Sequence, residues 1–259
     1  GMVQLSPDNG LPGWDRISGY FYPDSTISGF SHTHLSGTGA GDLYDISFMP
    51  VTLPYHEAAA PLGIHSKFSH KDEKAHAGYY QVKLTDYDIN VELTATARCG
   101  IQRYTFPKAE SAVFLDLKKA MNWDATTDSH IEVVDSVTIR GYRFSEGWAR
   151  GQRVYFETRF SKPFMAVHID SSAILSSADT TAKSAKRIGT AFKARFDFKT
   201  AAGEQVTLST ALSGVSMEGA SKNLKAEVPK DDFDYYLKEA EQNWNHELDT
   251  FVKDIKVLG

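Results

Sequence analysis

Residues 191–198 read Ala-Phe-Lys-Ala-Arg-Phe-Asp-Phe, a stretch in which apolar and charged side chains alternate. Successive side chains of an extended chain point to opposite faces, so this alternation predicts a β-strand with one buried and one exposed face. The same two-residue period occurs over residues 205–212, Gln-Val-Thr-Leu-Ser-Thr-Ala-Leu, with Gly203 at the position of a turn between the two runs. Both runs are typical of antiparallel strands.

Similar runs cover much of the rest of the chain. They extend from Tyr79 to Leu84, Ile89 to Ala97, Ser111 to Leu117, His130 to Arg140, Arg153 to Phe160 and Phe164 to Ile169. Many short strands without helices between them predict an all-β fold, which we expect to be a large antiparallel β-sandwich. The Ser-, Ala- and Thr-rich segment from Ser171 to Lys186 is expected to form an exposed hairpin or a flexible loop.

The C-terminal part of the chain has a different period. Apolar residues follow one another at helical spacing after the sequence Pro-Lys-Asp-Asp at 229–232; they are Phe233, Tyr236, Leu237, Ala240, Trp244, Leu248 and Phe251. This spacing predicts an amphipathic helix with an aspartate as its N-cap. We therefore expect a sandwich domain over 1–228, a linker helix over 229–254 and the start of a connection over 255–259. The helix packs either on the sandwich or on a following domain.

Composition narrows the range of functions. The 259 residues carry a formal net charge of −5, with acidic and basic residues interspersed. No basic stripe is present to neutralise a phosphate backbone, so nucleic acid is not expected as a partner. The single cysteine, Cys99, excludes an internal disulfide and a cysteine-based metal site. No apolar run is long enough to span a bilayer. The glycine that precedes Met2 suggests either an expression scar or a fragment of a longer protein.

The most informative segment for function lies between Gly29 and Pro50. It reads Gly-Phe-Ser-His-Thr-His-Leu-Ser-Gly-Thr-Gly-Ala-Gly-Asp-Leu-Tyr-Asp-Ile-Ser-Phe-Met-Pro. Hydroxyls, imidazoles and glycine N–H groups in one loop are typical of sites for polar ligands such as sugars. His32 and His34 are two residues apart, which would also suit a zinc or iron site. Three interpretations stay open for them: metal ligands, hydrogen-bonding groups near a ligand pocket, or structural histidines.

Two other chemistries are disfavoured. A phosphate-binding glycine loop must open a helix, whereas residues 43–49 read as a strand ended by Pro50. The nucleophile elbow Gly-x-Ser-x-Gly is absent, because Thr33 stands where the second glycine would be. Asp42 and Asp45 follow no EF-hand spacing, so solvated or turn-capping carboxylates are expected there.

The whole chain resembles the N-terminal β-sandwich domain of glycoside hydrolase family 92, the calcium-dependent exo-acting α-mannosidases of bacteria. Matching landmarks occur in one order from end to end. They are Gly-Met-Val-Gln-Leu-Ser-Pro-Asp at 1–8, Ser-Gly-Phe-Ser-His-Thr-His-Leu-Ser-Gly-Thr-Gly at 28–39, Gly-Tyr-Tyr-Gln-Val-Lys-Leu at 78–84, Glu-Leu-Thr-Ala-Thr at 92–96, Gly-Trp at 147–148, Val-Tyr-Phe at 154–156, Phe-Ser-Lys-Pro-Phe at 160–164, Glu-Gly-Ala at 218–220, Asn-Leu-Lys-Ala-Glu at 223–227 and Trp-Asn at 244–245.

The resemblance implies a sandwich of the supersandwich type that is followed by a catalytic (α/α)6-barrel domain, which this chain lacks. It implies inverting hydrolysis of terminal α-mannosides, with α-1,2 linkages expected, in the degradation of N-glycans outside the cell or in the periplasm. In inverting enzymes an acid and a base stand roughly 6.5–9.5 Å apart on either side of the scissile bond. The family's acid, base and calcium ligands belong to the barrel, so no catalytic or metal-binding residue is assigned in this chain.

The loop is expected to supply one wall of the mannose pocket. The residues assigned to this wall are Gly29, Phe30, Ser31, His32, Thr33, His34, Ser36, Gly37, Thr38 and Gly39. Ala40 departs from the family, which frequently has a cysteine there. On this interpretation the chain alone is inactive and its partners are the barrel domain and mannose-containing glycans. The alternatives are a stand-alone carbohydrate-binding module and a purely structural interaction domain.

Overall fold

A computed structural model of the chain describes residues 2–35, 41–60, 62–119, 123–170, 172–176, 183–188 and 191–257. These residues form eighteen β-strands, two α-helices and two short 3-10 helices. The strands are β1 (Ser6–Asp8), β2 (Thr26–Ile27), β3 (Gly29–Ser31), β4 (Ser47–Thr52), β5 (Ser66–Lys67), β6 (Lys74–His76), β7 (Tyr79–Leu84), β8 (Ile89–Ala95), β9 (Cys99–Phe106), β10 (Ala109–Asp116), β11 (Ala125–Val133), β12 (Thr138–Glu146), β13 (Gln152–Phe160), β14 (Ala166–Ile169), β15 (Ser172–Ser176), β16 (Lys183–Ile188), β17 (Lys193–Thr200) and β18 (Glu204–Ser213). The helices are α1 (Met217–Glu227) and α2 (Phe233–Val257), and the 3-10 turns are Trp14–Arg16 and His70–Asp72.

Two large antiparallel sheets make up the body of the protein. The first has seven strands in the order β1-β3-β4-β10-β17-β14-β15, and the second has nine in the order β16-β11-β12-β13-β18-β9-β8-β7-β6. A small ribbon of β2 and β5 accompanies them. The predicted all-β sandwich is therefore confirmed. Neither helix, over the part of the chain that is described, is both long and apolar enough to cross a membrane.

The alternation in β17 explains how the two sheets pack. Ala194, Phe196 and Phe198 are buried in the main core, while the charged residues between them lie on the opposite face of the sheet. Phe160 from the nine-stranded sheet packs against this row, with ring centroids 5.2 Å from Phe196 and 5.9 Å from Phe198. Burial of such aromatic side chains supplies most of the favourable free energy in a sandwich core.

The structure corrects the prediction of one strand from His130 to Arg140. The segment contains the end of β11, a turn, and the start of β12, which pair as a hairpin. In the turn, the carboxylate of Asp135 accepts the N–H of Val137 at 2.8 Å, and Val134 N–H donates to the carbonyl of Thr138 at 2.9 Å. The apolar alternation continues across the turn, so it does not show where the chain reverses direction.

The segment from Ser171 to Lys186 also differs from its prediction. Its described residues belong to β15, which pairs with β14, and to β16, which pairs with β11. These two strands lie in different sheets and do not form a hairpin with each other. The chain therefore crosses between the two sheets here, a change that the local sequence pattern does not reveal.

The C-terminal region contains one helix more than the sequence pattern predicted. Helix α1 begins after Ser216, whose hydroxyl accepts the N–H of Gly219 at 3.0 Å, and it buries Ala220 and Leu224. Helix α2 begins after the predicted cap Asp232, whose carboxylate accepts the N–H of Tyr235 at 3.1 Å. Helix α2 continues to Val257, past the predicted end of the helix at residue 254. It therefore includes part of the segment 255–259, for which the start of a connection is predicted. The division of the chain into domains at 228 stays a prediction.

A second apolar cluster joins these helices to the outer face of the nine-stranded sheet. It is formed by the buried residues Cys99, Ile101, Ala211, Leu224, Val228, Phe233 and Tyr236. Burial raises the pKa of the Cys99 thiol to about 12, so this side chain acts as a small apolar group. The first turns of α2 thus pack on the sandwich, whereas Trp244, Leu248 and Val252 further along the helix are exposed.

We predict that Phe233→Ala lowers the free energy of unfolding by about 3–5 kcal/mol, because it removes a ring from the centre of this second cluster. Urea denaturation followed by circular dichroism measures the change. The control is Leu248→Ala on the exposed part of the same helix, which we expect to change stability by about 0.5 kcal/mol or less. Equal losses for the two variants would contradict the packing described here.

Candidate functional site

The predicted pocket-wall residues fall into two groups. Gly29, Phe30 and Ser31 form strand β3, which pairs with β1 through Ser6↔Ser31 and Asp8↔Gly29. The side chains from Phe30 to His34 are buried within this domain. Ser36, Gly37, Thr38 and Gly39 lie outside the described residues. The role of the loop as a pocket wall stays a prediction.

His32 is buried between the sheets as a neutral ring. Its Nδ1–H donates to the carbonyl of Ile46 at 2.6 Å, and its Nε2 has no hydrogen-bond partner within the described part of the chain. The ring lies against Gly100 of β9, where an added Cβ would come within 2.5 Å of the imidazole Cδ2. Burial lowers the pKa of His32 to about 4. Of the three interpretations of this histidine, the structural one fits these contacts.

A second group of polar side chains surrounds the buried carboxylate of Asp8. We call it the Asp8 cluster; it consists of Asp8, Ser31, His34, Ser47 and Lys119. The His34 Nε2 lies 2.8 Å and the Ser31 hydroxyl 2.9 Å from Oδ1, while Ser47 donates to Oδ2 at 3.1 Å. The ammonium of Lys119 is 3.4 Å from Oδ2. Burial would raise the pKa of Asp8, but these partners outweigh it and the pKa is lowered.

A third group links both ends of the glycine-rich loop to the nine-stranded sheet. Thr33, before the loop, donates its hydroxyl to Asp45 at 2.7 Å, and Asp45 N–H donates back to the same hydroxyl at 2.9 Å. Arg143 of β12 bridges two carboxylates, at 2.6 Å to Asp45 and 3.0 Å to Asp124. All three charged side chains are almost completely buried. We call Asp45, Arg143 and Asp124 the arginine bridge.

Asp42 holds the loop to the turn between β12 and β13. Its carboxylate accepts the backbone N–H groups of Trp148 at 2.7 Å and Ala149 at 2.8 Å. The expectation of a capping carboxylate therefore fits Asp42, although it is buried rather than solvated. Asp45 is buried too, in an ion pair.

The backbone beyond the loop adopts an unusual conformation. Leu43, Tyr44 and Ile46 have φ angles of +80°, +72° and +55°. Such angles are uncommon for residues other than glycine and persist only where the surroundings fix them. Here Leu43 N–H donates to Asp124 at 2.9 Å and the hydroxyl of Tyr44 donates to the carbonyl of Arg16 at 2.5 Å. The predicted strand from residue 43 therefore begins only at Ser47.

These contacts fix the described residues on either side of positions 36–40. The end at Thr33 and His34 is held by Asp45 and Asp8, and the other end at Asp42 is held by the turn at Trp148. A loop whose two ends are already fixed loses less conformational entropy when it contacts a partner or a ligand. The buried residues can therefore position the loop without touching the ligand themselves.

The described residues do not fit a calcium or transition-metal site. No group of three or more His, Cys, Asp and Glu side chains among them is arranged to hold a metal ion. The buried carboxylates of the site already accept hydrogen bonds from Arg143, Lys119, hydroxyls and backbone N–H groups. Calcium needs six to eight oxygen ligands, and carboxylates committed to other donors do not supply them.

A cavity of about 680 Å³ adjoins the Asp8 cluster. Its polar lining includes Lys119 and Ser47 of the cluster and charged residues of both signs, namely Glu57, Asp116, Lys118 and Lys193. Its apolar lining includes Leu11, Met49, Ile64 and Phe114. Lys119 also donates to the Ser28 hydroxyl at 2.7 Å. Volumes of this size are typical of ligand sites.

Aromatic side chains that could stack on a sugar ring divide between core and surface. Phe30 and Tyr44 are buried, whereas Trp14, Tyr22, Trp123 and Trp148 are exposed. Trp148 is 77% exposed although its backbone N–H is fixed by Asp42. An exposed indole on a fixed backbone is a typical anchor for a protein partner or a sugar ring.

Sequence reasoning identified the histidines and hydroxyls of this region but not the residues that hold them. Asp8 is more than 100 residues from the other three, Lys119, Asp124 and Arg143, which lie within 25 residues of one another. The one local signal is Arg143 at an inward position of a strand whose neighbours Gly141 and Ser145 are also buried. A charged residue with inward periodicity predicts a buried ion pair, although it does not name the partner.

We predict that His32 reduces stability at acid pH. The pKa of His32 is about 4 in the folded protein and about 6.5 in an unfolded chain, so unfolding takes up a proton below pH 6.5. Its stabilising contribution is complete above that pH and decreases by about 2 kcal/mol by pH 5.

The variant that tests this is His32→Asn, whose amide can still donate to the Ile46 carbonyl but cannot titrate. Urea denaturation at pH 7.5 and pH 5 measures how much the free energy of unfolding falls between these two pH values. This decrease should be smaller for the variant than for the original chain. His56→Asn, at an exposed histidine, is the matched control and should retain the full loss. The same pH dependence in all three proteins would contradict the assignment.

We predict that Arg143→Met destabilises the fold by about 3–5 kcal/mol, because Asp45 and Asp124 then lose their shared cation while remaining buried. Thermal and urea denaturation measure this loss. Arg150→Met removes an arginine that is 90% exposed and should cost about 0.5 kcal/mol or less. A small effect at both positions would show that the bridge does not hold the loop.

Comparison with known proteins identifies the domain. The glycosyl hydrolase family 92 N-terminal domain matches residues 1–213. No curated protein sequence matches the chain. Among solved structures, the family GH92 α-mannosidase BT3965 from Bacteroides thetaiotaomicron is 34% identical, with a TM-score of 0.87, and the match covers 96% of this chain and 34% of that one. Its complex with mannoimidazole matches with a TM-score of 0.86 over 96% of this chain and 33% of that one.

The inverting family GH92 mannosidase BT2199 from the same organism is 26% identical, with a TM-score of 0.75, over 95% of this chain and 32% of that one. The chain thus spans about one third of the length of these relatives. Because the family domain covers most of the chain and the sandwich superimposes along nearly its whole length, the chain belongs to glycoside hydrolase family 92 and has the fold of the family's N-terminal domain.

Proposed function

We propose that this chain is the N-terminal domain of an α-mannosidase, which supplies one wall of the sugar pocket and the scaffold for a catalytic (α/α)6-barrel domain. The proposal is carried by the match of the family's N-terminal domain to residues 1–213. The chain also aligns with about one third of the length of a solved α-mannosidase of this family. The reaction we propose for the whole enzyme is inverting exo-hydrolysis of terminal α-mannosides, with α-1,2 linkages as the substrate.

The arrangement of the loop supports a role in positioning. Ser31, His32, Thr33 and His34 are buried, so we assign them the role of supports that hold the loop from behind. Direct contact with mannose then belongs to Ser36, Gly37, Thr38 and Gly39, between the two fixed ends. Gly29 and Phe30 place the loop through strand β3. Hydroxyls and glycine N–H groups at the tip suit hydrogen bonding to sugar hydroxyls.

Hydrolysis of a glycoside requires an acid and a base, and we assign neither among the residues that the structure describes. Inverting glycosidases need an acid and a base with room for a water molecule between them. The buried carboxylates described above accept hydrogen bonds from protein donors, and none faces a second carboxylate across an open site. We therefore propose that the acid, the base and the calcium ligands lie in the barrel domain and that the chain alone is inactive.

The exposed apolar groups are consistent with docking of such a domain. Trp148 is fixed next to the glycine-rich loop, and the end of α2 projects from the body with Leu248 and Val252 on its surface. Thirteen residues of helix beyond Trp244 extend about 20 Å at the usual rise per residue. We propose that both surfaces are covered by the barrel. The whole enzyme would be bacterial and would degrade N-glycans in the periplasm or outside the cell.

Two other functions predict different behaviour. A stand-alone carbohydrate-binding module would bind mannosides without a second domain, and it is favoured by the exposed indole of Trp148, whose backbone is held by Asp42. A purely structural interaction domain would bind the barrel tightly and have no affinity for sugar.

The deciding experiment measures hydrolysis of an aryl α-mannoside by the chain alone, by a separately expressed family 92 catalytic domain, and by their mixture with calcium. We expect no hydrolysis by the chain alone and restored hydrolysis in the mixture, lost on addition of a chelator. Trp148→Ala should weaken association with the catalytic domain by about tenfold or more, as expected for an interface hot spot.

Val215→Ala serves as the matched control, because Val215 is also exposed and lies outside the loop and helix α2. It should leave the association unchanged. Hydrolysis by the chain alone would refute the proposal, and sugar affinity without association would favour the binding module.

A further inference from the structure

A groove of about 490 Å³ lies between helix α2, the N-terminal segment Val3–Leu5 and strands β7 and β8. Its position is fixed by the second apolar cluster, in which Phe233 and Tyr236 seat the first turns of α2 on the sheet. The groove is separate from the cavity beside the Asp8 cluster and shares no lining residue with it. Its volume lies within the usual range for ligand sites.

The chemistry of the lining distinguishes this groove from the other cavities. None of the described residues that line it is Asp, Glu, Lys or Arg, although such residues make up 24% of the chain. The cavity beside the Asp8 cluster, by contrast, is lined by Lys118, Lys119 and Lys193. The lining combines aromatic rings and two carboxamides with six aliphatic side chains, and its threonine and tyrosine hydroxyls donate to acceptors within the protein. The imidazole of His76, also in the lining, lies 3.5 Å from the carboxylate of Glu241. A lining with an exposed indole, two carboxamides and no carboxylate, ammonium or guanidinium group suits a neutral ligand better than an ion.

Trp244 forms an aromatic wall of the groove. Its indole is 51% exposed, and Cδ1 packs against Gly78, where an added Cβ would lie 3.2 Å from it. Gly78 has a φ of +85° and therefore also needs the conformational freedom of glycine. Nearby, the imidazole of His76 stacks on Tyr79 with ring centroids 5.1 Å apart. Exposed aromatic rings offer an apolar face to the C–H groups of a pyranose ring.

Two carboxamides complete the polar part of the lining. The side-chain amides of Gln4 and Asn243 have no hydrogen-bond partner among the described residues. Each amide carries both donors and an acceptor, which matches a pair of neighbouring sugar hydroxyls.

The groove is connected to the candidate site through the N-terminal segment. Gln4 N–H donates to the carbonyl of His32 at 2.9 Å, and its own carbonyl accepts the Nδ1–H of His34 at 2.8 Å. The residue that presents an amide to the groove is therefore held by the same two histidines that precede the glycine-rich loop. A ligand that occupies both places would run across this segment.

We infer that this groove is a binding subsite for neutral hexose units, with Trp244 as the stacking platform and Gln4 and Asn243 as the hydrogen-bonding groups. The inference rests on the proposed function in one respect: in the whole enzyme, the units bound here belong to the same glycan whose terminal mannoside reaches the loop. The chain by itself binds such sugars weakly, without hydrolysing them.

The test is a titration of the chain with α-1,2-mannobiose and mannotriose, followed by saturation-transfer NMR and by tryptophan fluorescence. We expect saturable binding that Trp244→Ala weakens by about tenfold, the size expected when an aromatic stacking contact is lost. Gln4→Ala should weaken it severalfold. Trp14→Ala is the matched control, since it removes an indole of similar exposure that does not line the groove and should leave sugar affinity unchanged.

Three results would overturn the inference. They are the absence of saturable binding, equal affinity of the original chain and Trp244→Ala, and tighter binding of glucuronic acid than of the neutral sugars. Circular dichroism of each variant confirms that the fold is retained. Sugar binding that depends on Trp244 would support the groove even if the catalytic domain does not associate with the chain. Association of the domains without sugar binding would refute the groove and leave the proposed function intact.

Discussion

Packing of the two large sheets against each other is the constraint on which the rest of the structure depends. Phe48 of β4 and Phe196 of β17 belong to the seven-stranded sheet, and both pack against Phe160 of β13 from the nine-stranded sheet. The strand period of two means that a shift by one residue would turn these rings to the outer face. Their burial therefore fixes the register of β4, and with it the end of the glycine-rich loop from which this strand starts.

The same packing buries the carboxylates of Asp8 and Asp45, which lie close to the loop. A buried carboxylate is costly unless donors surround it, and removal of its partner is more costly than replacement of the pair. Asp8 and Asp45 meet this requirement with donors from several strands, including Lys119 and Arg143. The residues beside the loop are thereby fixed by ion pairs between different strands and loops, and movement of any one of these segments would break an ion pair. We regard this as the physical reason why the sandwich can hold the segments on either side of this loop at a defined place.

The outer face of the nine-stranded sheet is only partly covered by the helices. Helices α1 and α2 cover its centre through the second apolar cluster and leave uncovered the groove at Trp244. The exposed remainder of α2 and the exposed Trp148 are the surfaces that a second domain would have to bury. The two proposed binding surfaces are therefore separate from each other and from the core of the domain.

How much the sequence could predict depended on the range of the interaction. Alternation of apolar and polar residues is a local signal, and the strands that it predicts at β7, β13 and β17 are present. A helix cap is also a local signal, and helix α2 begins after an aspartate, Asp232, as predicted. Helix α1 was missed because its apolar face needs only Ala220 and Leu224, too few positions for a clear period. The hairpin turn at Asp135 was missed because apolar alternation continues on both sides of it.

The sequence by itself determined the all-β class and, through its ordered landmarks, the family. It also marked the loop from Gly29 to Gly39 as the segment of interest. Only the tertiary structure decided that His32 and His34 face inward, that Arg143 joins Asp45 to Asp124, and that Trp244 and Gln4 share a groove. The physical reason is that periodicity and capping depend on neighbours in sequence, whereas partners of a buried charge and walls of a groove come from residues that only the packing of the sheets brings together.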